Sequence, residues 1–157
     1  MAIKLVLVCW LWVFGLAYDD TADLRVYRKL MEQSVEDSKV ATQFYEKLKT
    51  VKDDGLPVVM GFKAMSEFLM CKHLVNPLSR LSHFKNGRKL LEEAIAKSED
   101  NPELIFFRYT TQLNCPSILN YNGNLASDKA FLLQWLNKNA SDEDLYKRIK
   151  TFMAKRR

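Results

Sequence analysis

The residues able to do chemistry gather in one stretch, FFRYTTQLNCPSILNYNGN, Phe106 to Asn124. Arg108 and Gln112 stand four apart, so on a helix they share a face. Asn114, Asn120, Tyr121 and Asn122 follow closely. Two kinds of work suit an arginine placed this way. It can clasp a carboxylate from Glu67, Glu92 or Glu93 and tie helices together. It can also grip an anionic ligand with its planar fork, in a pocket near Arg108, Gln112 and Tyr121.

Other constellations are thin. The two histidines are His73 and His83. Cys71 and His73 are two apart, which places them about 200° apart around a helix and is poor geometry for one metal. Cys115 with a histidine is a conceivable nucleophile and base, but no spacing supports it. Glu92 and Glu93 are adjacent and diverge on a helix. The five glycines are scattered, so there is no phosphate-cradling loop, and no G-x-S-x-G elbow is present. No catalytic, cofactor or metal site is expected.

The elements that must position these residues follow from the rest of the chain. Its 157 residues, 48% of them hydrophobic, suffice for one domain with a real core. Five glycines and four prolines are too few for a turn-rich all-β fold. Met1 to Ala17, MAIKLVLVCWLWVFGLA, has one lysine, an apolar run from Leu5, and small residues at Gly15 and Ala17. This is the layout of a secretory signal peptide. An uncleaved anchor is the alternative, although the run is short of the ~20 residues that a membrane span needs. The expected domain is residues 18–157, periplasmic or secreted after cleavage. Two cysteines then remain, Cys71 and Cys115, which can pair in an oxidising compartment or serve as small apolar residues.

Apolar residues recur at spacings of three and four almost throughout. Leu24, Tyr27, Met31 and Val35 mark a first helix, capped by Thr21 or Asp23. Ser38 opens a second. After Gly55 and Pro57, a third segment from Val58 to Val75 is apolar around most of its circumference, as a central helix is. Asn76-Pro77 sets a boundary, and a fourth helix runs to about Lys97. Pro102 starts a fifth, Leu125 a sixth, and Ser141 caps a seventh. No segment alternates with period two. The predicted fold is all-α, about seven antiparallel helices.

One segment carries a resemblance. In FKNGRKLLEEAIAKSEDNPEL, the residues Phe84, Gly87, Leu91 and Ala94 resemble the second helix of a tetratricopeptide repeat, with DNPE as the turn to the next. About 30 residues match, and the 34-residue period is not sustained. More broadly, the chain resembles a group of small exported all-helical proteins of Bacteroidetes-type bacteria with no assigned biochemical role. Asn76-Pro77, Lys89 to Ile95, Asn101 to Glu103, Arg108, Gln112, Asn114, Pro116, Leu119, Tyr121 and Asp128 to Leu133 carry that likeness. It implies a helical architecture and export.

Formal charge is +5, or +4 once Lys4 leaves with the leader. The excess gathers at Lys147, Arg148, Lys150, Lys155, Arg156 and Arg157. A basic end can meet anionic membrane or nucleic acid. For an exported chain, cations that suit a helix dipole are the better reading, with no nucleic acid partner and the membrane surface as a lesser alternative. The expected role is non-enzymatic: protein–protein interaction or scaffolding with an unknown protein partner. An enzyme or small anionic-ligand binder is the alternative.

Overall fold

A computed structural model describes residues 20–51, 56–138 and 141–155. The expected leader, Gly55, Asn139 and the terminal Arg156 and Arg157 lie outside them. The described residues form seven α-helices: α1 Asp20–Ser34, α2 Ser38–Lys49, α3 Pro57–His73, α4 Pro77–Lys97, α5 Pro102–Asn114, α6 Leu125–Leu136 and α7 Glu143–Ala154. A 3₁₀ turn, Ser117–Leu119, links α5 to α6. There is no strand among them. No described helix is long and apolar enough to cross a membrane.

Helix starts are set by short polar side chains. At Asn76 and at Asn101, an asparagine caps a helix whose first residue is proline. Asn76 accepts from Leu78 N–H (2.9 Å) and Asn101 from Glu103 N–H (3.0 Å). The asparagine binds orphan amides, while proline supplies a helical φ and lacks the N–H that would go unpaired. Two expected caps move by one residue. Asp37, not Ser38, caps α2, accepting from Lys39 and Val40 N–H. Asp142, not Ser141, caps α7, accepting from Leu145 N–H. In both pairs the carboxylate takes the cap and the serine does not.

Helix α3 sits at the centre, packed on α1, α2, α4 and α5. Its Phe62 is fully buried and meets Phe107 of α5 edge-on at 5.0 Å and Tyr27 of α1 at 5.5 Å. Gly87 lets α4 lie against α3: a Cβ there would stand 3.0 Å from the Ala64 carbonyl oxygen and from the Phe68 ring. The chain's one described non-glycine residue with positive φ is Asn120, at 47°. Asparagine tolerates this region through its short polar side chain. The left-handed residue of the NYNGN turn is therefore Asn120 and not Gly123.

Candidate functional site

Arg108 leaves α5 toward α4 and α6. Its Nε and Nη2 donate to the two oxygens of Asp128 at 2.8 and 2.7 Å, a bidentate fork. Its Nη1 donates to Glu92 at 3.1 Å. Glu92's other oxygen accepts from the Tyr121 hydroxyl at 2.6 Å, and Arg88 lies over the Tyr121 ring at 4.9 Å. Hydrogen bonding to Asp128 raises the Arg108 pKa against the opposing effect of burial. Burial and the bond to Glu92 push the Tyr121 phenol up, so it stays protonated.

Gln112, 2% exposed, does not bond Arg108 but ties down the loop before α6. It donates to Asn124 Oδ1 at 3.3 Å and accepts from Asn124 N–H at 3.1 Å. Asn114 takes no part: it is exposed and donates back to the Thr110 carbonyl at 2.7 Å. The stripe is thus a clasp joining α4, α5, the Tyr121–Asn124 loop and α6. Its guanidinium faces two carboxylates, which take three of its N–H groups. Glu92 was among the carboxylates in reach by sequence. Asp128 was not, because no helical spacing links it to Arg108 across an irregular connection.

A second arginine cluster centres on α1, at a residue that no motif singles out. Arg28 of α1 is 2% exposed. It forks onto Glu103 of α5 through Nε and Nη2, both 2.7 Å. Its Nη2 and Nη1 also reach Asp142 at 2.7 and 3.2 Å, and Nη1 reaches Asp144 at 3.0 Å. All five of its N–H groups are thereby used. Arg148 continues the network to Asp144 and to Glu32. The signal was present: Arg28 lies four after Leu24 and three before Met31, on the face that α1 buries. Burial alone would lower the Arg28 pKa, but bonds from Glu103 and Asp142 outweigh it and hold the guanidinium charged.

This network sets an acid response. Burial disfavours charge on Asp142 and Asp144, yet bonds from Arg28 and Arg148 prevail and depress both carboxyls below their ordinary range. A carboxyl depressed on folding stabilises above its unfolded pKa, about 4, and loses that contribution as pH falls through the native value. Glu103 runs oppositely, since burial pushes its carboxyl up more than Arg28 pulls it down. Chemical denaturation from pH 6 to pH 2 should therefore show stability falling below about pH 4, and more shallowly in D142N/D144N. An unaltered acid limb in that variant would contradict this assignment.

The histidines and cysteines act locally. His83 Nδ1 pairs with Glu67 at 2.5 Å, and its ring meets Tyr45 edge-on. His73 Nε2 lies 2.7 Å from the Ser34 carbonyl oxygen, and Lys72 Nζ donates to the Val35 carbonyl at the end of α1, where the lysine's charge suits the dipole. Cys71 and Cys115 are both free thiols. Burial and the nearby Glu67 push Cys71 up to about 11, and burial pushes Cys115 up, so neither is activated as a thiolate. Among the described residues, no group of three or more His, Cys, Asp or Glu side chains could hold a metal ion.

A broad groove lies elsewhere. A groove of about 1150 Å³ runs between α1, α3, α4, α5, the 3₁₀ turn and α7. Phe68, Phe84, Phe106, Phe107 and Phe152 line it. Apolar side chains continue onto its rim, where Val35 and Leu81 are 38% exposed and Ile118 is 90% exposed. No family model matches the chain, and no curated protein or solved structure matches it. The groove and the two arginine clusters are therefore read from their own chemistry.

Proposed function

We propose that this chain is a non-enzymatic helical adaptor, exported by its N-terminal leader, which docks a segment of a partner protein in the aromatic groove. The groove is the observation that carries the reading. Its volume, about 1150 Å³, lies above the about 300–1,000 Å³ of small-ligand pockets, and an exposed apolar patch edged by polar side chains is typical of docking surfaces. The tetratricopeptide-like spacing of Phe84, Gly87, Leu91 and Ala94, with Gly87 at a close helix contact, supports a relation to helical-hairpin scaffolds. The bonds of Arg108 to Asp128 and Glu92, and of Tyr121 to Glu92, weigh against the small-anion reading of that site.

A photo-crosslinking residue at Ile118, on the groove rim, and another at Gln134, exposed on α6, test this in native cells. Discrete adducts are expected from position 118 and none from 134. Equal labelling from both positions, or none from either, would remove the reading.

A further inference from the structure

We infer that the groove takes an acidic amphipathic helix, a deduction that rests on the docking reading above. Charge and size both favour such a partner. Five cations line the groove, Lys72, Arg80, Lys147, Arg148 and Lys155, against two acids, Glu32 and Asp144. Both acids are already bonded to Arg148, and Asp144 also to Arg28. Lys72 and Lys147 have partners in Glu36 and Glu143. Arg80 and Lys155 have no ion pair among the described residues and are exposed. The groove thus offers an apolar floor with unneutralised positive charge on its rim, and no acid free to receive a basic partner.

Size favours a helix. A helix about 10 Å across fills 1150 Å³ over about 15 Å, or about ten residues, and more if it lies half out of the groove. Such a segment offers apolar anchors at i, i+3, i+4 and i+7 to the five phenylalanines, while carboxylates on its flanks meet Arg80 and Lys155. The chain's own apolar run, Leu5 to Ala17, has Lys4 on one flank and Asp19 and Asp20 on the other, so it is a competing occupant that the test below addresses.

The test uses the full chain and three fluorescein-labelled peptides of about 18 residues, long enough to hold helix in water. All share one leucine stripe, and their polar faces are Glu, Gln or Lys. The Glu peptide should bind at least about tenfold more tightly than the Lys peptide at low salt, with the gap closing toward 1 M, where screening acts over about 3 Å. R80E/K155E should reverse that order without changing Tm, and L81S should weaken all three peptides. Equal binding of Glu and Lys peptides, still sensitive to L81S, would overturn the charge selection and leave the docking reading standing. If no peptide binds and only anionic phospholipid vesicles do, both readings fail. If removing residues 1–17 is needed before any peptide binds, and then all bind alike, the leader is the occupant and the inference fails. Self-association abolished by L81S, in place of peptide binding, assigns the groove to a second copy and likewise overturns it.

Discussion

Arg28→Ala should destabilise the fold by about 3–5 kcal/mol, the usual loss when one member of a buried ion pair is removed. The reason is what stays behind. Glu103 is 3% exposed, and without Arg28 its carboxylate has no described partner in that pocket. Asp142 and Asp144 would suffer less, because water reaches them and Arg148 still bonds Asp144. Thermal and urea unfolding should show a Tm lower by on the order of 10 °C. The companion R28M/E103L removes both buried charges with similar volumes and should recover most of the loss. If the double variant were no more stable than R28A, packing and not uncompensated charge would explain the effect.

Arg108→Ala should cost less, about 2–3 kcal/mol, because only one of its two carboxylates is stranded. Asp128 is 2% exposed and loses both bonds. The Glu92 side chain is 39% exposed, retains Tyr121 and can rehydrate. Arg108→Lys should fall between, since an ammonium cannot span two carboxylate oxygens as a planar fork does. The measurement that matters is stability set beside crosslinking from Ile118. A lower Tm with unchanged adducts fits a clasp. Unchanged stability with lost adducts would return Arg108 to the role of a recognition residue.

The helices were legible because local rules govern them. Spacings of three and four, proline at first turns and asparagine before proline mark seven segments, although α6 stops at Leu136 short of the expected Asn139, and α1 begins at Asp20, so neither Thr21 nor Asp23 precedes it as a cap. The caps at Asp37 and Asp142 slipped by one, since an aspartate beside a serine offers two chemically adequate caps. The ion clusters were legible only in part. Arg108 announces itself beside Gln112, but Asp128 lies across a loop whose path depends on a left-handed Asn120. Arg28 is harder still. It bonds residues 75 and 114 positions away, and no periodicity spans such distances. What the sequence does contain is a charged residue on an apolar stripe, which states that a partner exists without saying where. The groove is a product of packing among helices remote in sequence, and no motif marks it.

The reach of Arg28 also orders events in time. At a synthesis rate of about 5–20 residues per second, the 114 positions from Arg28 to Asp142 take on the order of 5–25 s to appear. Throughout that interval α1 carries a cation whose full set of acceptors has not been made. The Glu103 bonds can form earlier, but the Asp142 and Asp144 bonds wait for the start of α7. Here ion pairs from Arg28 to Asp142 and Asp144, and from Arg148 to Glu32, join the first helix to the last, so the clasp is complete only when nearly all of the chain is present.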